Sequence, residues 1–203
     1  MTWTMKTPAP GGAFEVPPAG LKAGVLVGLI DLGTHDDEFT DPKTNETRTK
    51  AVRKVFLVWE LTGCKMSGTG NNHTIGRAYT WSLNEKAALR KVVKAWRGKD
   101  LREGEDFDIL SMLGKAFALT LTHKESGEKV YVNLDGVGAL PEEMIAGIAK
   151  RKPFARPLDS AEPLPDWLPR IYGEKVEDFL NRSKEMYAKR QTASVNAQAE
   201  DAF

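Results

Sequence analysis

The stretch that decides the fold is KAVRKVFLVWEL, Lys50–Leu61. Its second half is β-branched and aromatic, the composition that fits a pleated, packed surface. Alternation puts Val55, Leu57, Trp59 and Leu61 on one face and Lys54, Phe56, Val58 and Glu60 on the other. Upstream, LKAGVLVGLIDLG (Leu21–Gly33) reads as another strand, in which Gly24 and Gly28 signal strong coiling or a bulge. The polar stretch between them, THDDEFTDPKTNETRT (residues 34–49), is expected to be a loop. Downstream, TGCKMSGTGNNHT is a Gly/Asn-rich turn region, and IGRAYTWSL (Ile75–Leu83) is a third strand with Arg77, Tyr79 and Trp81 on one side.

A helix follows. Asn84 is placed to cap EKAALRKVVKAWRG, whose Leu89, Val92, Val93 and Trp96 recur at helical spacing before Gly98. EDFDILSMLG suggests a second short helix, KAFALTLTHKES a fourth strand, SGEK a tight turn and VYVNLDGVG a fifth strand. Three strands, a helix and two more strands is the connectivity of a five-stranded oligonucleotide/oligosaccharide-binding (OB) barrel. The competing architecture is a β-sandwich with an inserted helix, for which five strands are few. The fold class expected is therefore mainly β, an OB-fold barrel over residues 21–140 behind an extended N-terminal arm, 1–20. With six prolines from Pro141 to Pro169, residues 141–190 should form a Pro-rich strap leading into an amphipathic helix, Glu174–Arg190. Val176, Phe179, Leu180 and Tyr187 are its inward stripe. Residues 191–203 lack periodicity and are expected to be a disordered acidic tail.

Composition narrows the function. With 41% hydrophobic and 28% charged residues, the chain has the make-up of a soluble globular protein. No apolar run approaches the roughly 18 residues that span a bilayer. The start lacks the layout of a signal peptide, and the single cysteine, Cys64, forms no internal disulfide. A cytoplasmic protein is expected, with no membrane partner. The net charge of +1 hides an uneven distribution. TRTKAVRK carries Arg48, Lys50, Arg53 and Lys54 without an acid, and the helix carries Arg90, Lys91, Lys94 and Arg97. Glu200 and Asp201 make the end acidic.

Catalytic groups are scarce. His35, His73 and His123 lie in different segments, and no zinc-ligand spacing is present. HDDE (His35–Glu38) can be imagined as a carboxylate cluster for a metal-dependent nuclease, but a solvated loop is the preferred reading, since loops between strands are commonly acidic. GTGNN lacks the Lys-Ser/Thr of a phosphate-binding loop, and no G-x-S-x-G elbow occurs. No catalytic residue, metal or cofactor is assigned, and the chain is not expected to be an enzyme.

Single-stranded nucleic acid asks for a basic path along phosphates and flat side chains for bases to stack on. Arg53 and Lys54 adjoin Phe56 and Trp59, Arg77 adjoins Tyr79 and Trp81, and Tyr131 lies on the fifth strand. With Arg48 and Lys50 these ten residues are the candidate single-stranded DNA contacts. Half of each barrel strand points inward, so Trp59, Tyr79 and Trp81 fit the core as well as a stacking platform. If Leu57 is core, Trp59 is too and Phe56 faces the ligand, which makes Lys54 and Phe56 the favoured pair. The helix cations fit equally a plain solvated face.

GAFEVPPAG, KVFLVWEL, RAYTWSLNEKAALRK, AWRGK, LGK and HKESGEKVYVN, in that order, resemble bacteriophage OB-fold single-stranded DNA-binding proteins. These accompany phage replication and recombination genes, and the likeness covers Gly12 to Leu140. It implies the fold and the class of ligand. The stretch AEDAF also resembles the acidic tip of bacterial single-stranded DNA-binding proteins, although its two acids are fewer than usual. That resemblance implies that Glu200, Asp201 and Phe203 dock on replication or recombination proteins. An OB-fold adaptor or inhibitor that binds protein instead of nucleic acid is the alternative.

Overall fold

The computed structural model describes residues 15–127, 129–140 and 151–200. Five long strands form one antiparallel sheet: β1 (Gly20–Thr40), β2 (Thr47–Lys65), β3 (Asn72–Thr80), β4 (Ala116–Ser126) and β5 (Lys129–Ala139). Their order is β3-β2-β1-β4-β5, and a short β6 (Phe154–Arg156) pairs in parallel with β1. The protein is mainly β, and the sheet is not closed into a continuous ladder. No helix among the described residues is long and apolar enough to cross a membrane.

β1 organises the sheet because each of its edges is used almost to the end. One edge pairs with β2 from Gly24 to Thr40. The other pairs first with β4, then exchanges bonds between Leu26 and the Gly114–Lys115 backbone (2.8 and 3.0 Å), then takes β6 at Gly28–Ile30. Further on, the Thr34 N–H donates to Glu185 Oε2 (2.9 Å). This satisfies buried backbone polar groups that would otherwise destabilise the strand. The register shifts between Leu26 and Gly28, and again between Asp31 and Gly33, so the irregularity signalled by Gly28 is present.

The alternating faces of β2 are both buried, against different partners. Val55, Leu57, Trp59 and Leu61 join Phe117, Leu119, Leu121 and Leu134 in the inner core, which is closed by α1 (Ala88–Arg97) through Leu89, Val92 and Val93. Phe56 and Val58 join Val25, Val27, Ile30 and Leu32 in an outer core. That second face is covered by the C-terminal segment through Phe154, Leu158, Leu164, Trp167 and Leu168, then Val176, Phe179 and Leu180. Close approach sets two of the glycines. A Cβ on Gly76 would lie 2.2 Å from the Phe56 ring, and one on Gly28 would lie 3.1 Å from the Phe154 ring. A buried carboxylate ties the covering segment down. Glu60 accepts from Asn72 Nδ2 (2.7 Å) and the Arg151 N–H (2.9 Å), and the Arg151 guanidinium lies over the Trp167 ring (4.8 Å).

Several elements differ from what the sequence suggests. Residues 34–49 are not a loop: β1 and β2 continue as a two-stranded arm to Thr40 and Thr47. Cross-strand contacts hold this polar ladder, among them Thr40 Oγ1 with Thr47 Oγ1 (3.1 Å), and Asp41 folds the tip by bonding to Lys43, Asn45 and Glu46. Helix α1 begins at Ala88, because the Asn84 carbonyl accepts from the Ala87 N–H (2.8 Å) and closes a turn ahead of the helix instead of capping it. Only a 3-10 turn, Ile109–Met112, forms in the EDFDILSMLG stretch, capped by Asp108.

The expected helix Glu174–Arg190 is two helices, α2 (Val176–Asn181) and α3 (Lys184–Glu200). The break falls at buried Ser183, which packs at Gly33 and whose Oγ accepts from the Met186 N–H (3.3 Å). Val176, Phe179 and Leu180 point inward as expected, but Tyr187 is exposed. From Gln191 to Glu200 the chain is helical and not a disordered tail, in keeping with its Ala- and Gln-rich make-up.

Candidate nucleic-acid interface

The arm is the part of the sheet that reaches beyond both cores. Register places Asp37 opposite Lys50 and Phe39 opposite Arg48, so these side chains share one face. Phe39 is 61% exposed, and Arg48 and Lys50 are exposed beside it. Toward the base of the same face, Lys54 is buried, its Nζ 2.6 Å from Asp37 Oδ1 and 6.0 Å from the centroid of the exposed Tyr172 ring.

A second cation–aromatic pair stands at the base of the arm. The Trp81 N–H donates to the Arg53 carbonyl (2.7 Å), which carries the β2–β3 pairing one residue further. The Arg53 guanidinium then lies 5.2 Å from the centroid of the half-exposed Trp81 ring. Arg53 donates through Nε (3.3 Å) and Nη2 to the two oxygens of buried Asp31, and this bond raises the guanidinium pKa further. Next along β3, exposed Arg77 crosses the open seam of the sheet and donates from Nη1 to the Leu134 carbonyl of β5 (2.6 Å). It also shields Tyr79, whose hydroxyl is pushed up to about 12 by burial, with Arg77 opposing.

Six of the ten candidate contacts thus reach the surface: Arg48, Lys50, Arg53, Arg77, Trp81 and Tyr131. Tyr131 lies at the β4–β5 turn opposite exposed Lys124. Four do not. Phe56 and Trp59 are fully buried and Tyr79 nearly so, which removes them as stacking platforms; Lys54 is buried against Asp37. The favoured Lys54–Phe56 pair fails because the C-terminal segment covers that face. Trp59 is core, edge-on to Phe117 at 5.9 Å. The structure adds two aromatics that sequence reasoning passed over, Phe39 and Tyr172. Phe39 was hidden by taking its segment for a loop; Tyr172 had no pattern to mark it.

Three of the four cations of α1 are engaged within the protein, and Lys91 is exposed. Arg90 Nε and Lys94 Nζ bind the two oxygens of Asp100 (2.9 and 3.0 Å), and Arg97 binds Glu105 (2.7 Å). The hydrogen bonds from Arg90 and Lys94 hold the Asp100 carboxyl at about 2. Three of the four HDDE side chains are committed too: His35 Nε2 donates to the Leu32 carbonyl, Asp36 pairs with Lys184 and Asp37 with Lys54, while Glu38 is exposed. No cluster of three or more His, Cys, Asp or Glu side chains suited to a metal ion occurs among the described residues. Glu200 is the last residue of α3, and Asp201 and Phe203 lie outside the described residues. No protein-family model matches the chain, and no curated protein matches it.

Proposed function

We propose that the chain is a non-catalytic, sequence-tolerant single-stranded DNA-binding protein on an OB-type barrel left open between β3 and β5. The strand order and the single helix between β3 and β4 support that barrel, as does the Arg77 bridge across the seam. OB proteins engage polymers with strands two and three and the loops after strands one and four. Here the strand ends beside the β1–β2 turn form the arm bearing Phe39, Arg48 and Lys50, and the strand ends beside the β4–β5 turn carry Lys124 and Tyr131. The observation that carries the proposal is the repeated placement of a cation beside a solvent-exposed ring: Arg53 at Trp81, Arg48 at Phe39, Lys124 at Tyr131. Each stacked base contributes about 1–3 kcal/mol without selecting sequence.

The committed α1 cations change the expected salt response. At the interface Arg48 is paired with Glu46, Arg53 with Asp31, and Arg77 is bonded to the Leu134 carbonyl, so Lys50 and Lys124 lead the phosphate contacts. With two or three phosphates neutralised, log affinity falls against log salt with a slope of about −1.5 to −2, since each phosphate contributes about −0.7 on a single strand. The acidic and aromatic stretch Glu200, Asp201 and Phe203 is proposed to recruit replication or recombination proteins. Competition against a labelled oligothymidine tests the binding claim: unlabelled single strands displace the probe and a duplex of equal length does not. Equal displacement by duplex would rule the proposal out. With Arg90, Lys94 and Arg97 withdrawn from phosphate contact, the second reading is a protein-binding adaptor, for which neither competitor matters because the probe does not bind.

A further inference from the structure

A cleft of about 460 Å³ opens between the base of the arm and the turn ahead of α2, with Tyr172, Phe179 and His35 as its flat surfaces. Ile171 and Glu174 exchange both backbone hydrogen bonds (2.9 and 3.0 Å) around Tyr172 and Gly173. Both central residues have positive φ, 49° at Tyr172 and 88° at Gly173, as in a type I′ hairpin turn. Such turns strongly prefer Asn-Gly, and a bulky side chain in the left-handed region is a true outlier. Burial does not compensate for the strain, because Tyr172 is 74% exposed. A large aromatic ring is thus held in solvent at a conformational cost, a combination that points to a ligand.

The surroundings say which kind of ligand. Lys54, Arg182 and Lys184 are balanced by Asp37, Glu174 and Asp36 at 2.6, 2.6 and 2.7 Å. A charge-balanced cleft offers no net attraction for a phosphate. It does offer donors and acceptors beside the exposed face of Tyr172, whose ring is backed by buried Phe179 at 6.0 Å, tilted by 50°, with His35 4.3 Å from Phe179. We infer that this cleft receives one unpaired nucleobase of the bound strand, stacked on Tyr172. The inference rests on the single-stranded DNA reading and extends the strand's path from the arm onto the C-terminal segment.

The experiment compares oligothymidine binding to the wild type, Tyr172→Asn and Trp81→Ala, with thermal melts of each. Asparagine suits the left-handed turn, so Tyr172→Asn melts at or above the wild-type temperature, binds about tenfold more weakly and keeps the same salt slope. Tyr172→Phe binds like the wild type. If Trp81→Ala is weakened while Tyr172→Asn binds normally, the base site is refuted and the single-stranded DNA reading stands. If the wild type does not bind, both are refuted.

Discussion

Two tryptophans separate stability from binding at the level of single residues. Trp59 is sealed between β2 and the rest of the inner core, whereas Trp81 is half exposed under Arg53. Trp59→Ala is expected to lower unfolding free energy by about 3–5 kcal/mol in a urea melt. Trp81→Ala leaves the urea midpoint almost unmoved. Gly76 tests the outer core, because a methyl there meets the Phe56 ring head on. Gly76→Ala should destabilise by about 1–3 kcal/mol, and adding Phe56→Leu should recover part of it. A wild-type midpoint for Gly76→Ala would show that the ring does not lie there. Asp100 provides a pH test. Its carboxyl is held at about 2, below its ordinary value of 3.8, so its contribution is present at neutral pH and fades as pH falls through that range. Asp100→Asn is therefore less stable than wild type at pH 7, and the gap narrows towards pH 2.

At the scale of elements, the arm and the covering segment were the least legible in the sequence. The both-sided apolar pattern of Lys54–Leu61 was plain, and so was the helix between the third and fourth strands. That neither face of Val55–Leu61 is open was not legible, since the residues that cover Phe56 lie about a hundred positions downstream. The arm was missed because its residues are polar and its ladder is held by cross-strand partners, which local composition does not reveal. The neutralised charge on α1 left a clearer trace: Asp100 and Glu105 follow the helix within a few residues. Replacing residues 38–49 by a two-residue turn between Asp37 and Lys50 removes Phe39 and Arg48 while leaving both cores and the Lys54–Asp37 pair in place. The shortened protein should fold, judged by an unchanged near-ultraviolet spectrum, and lose most of its affinity for single strands.

For the whole molecule, the sheet is one layer with two cores, and the C-terminal segment is part of the fold. Without residues 151–203, Val25, Val27, Ile30, Leu32, Phe56 and Val58 would face water. An exposed apolar face of that extent drives association, so the truncated chain should aggregate on a sizing column where the full chain does not. Glu60 would also lose the Arg151 N–H and guanidinium while keeping Asn72, a further loss of stability. The central claim, that the exposed rings around the arm hold a single strand, is tested most directly by fluorescence titration of oligothymidine at several salt concentrations, into wild type and Trp81→Ala. The account predicts binding at low salt with a slope of about −1.5 to −2. It also predicts a loss of about 1–3 kcal/mol in the variant without a change in that slope. No binding at low salt, or equal affinity of the two proteins, would contradict it.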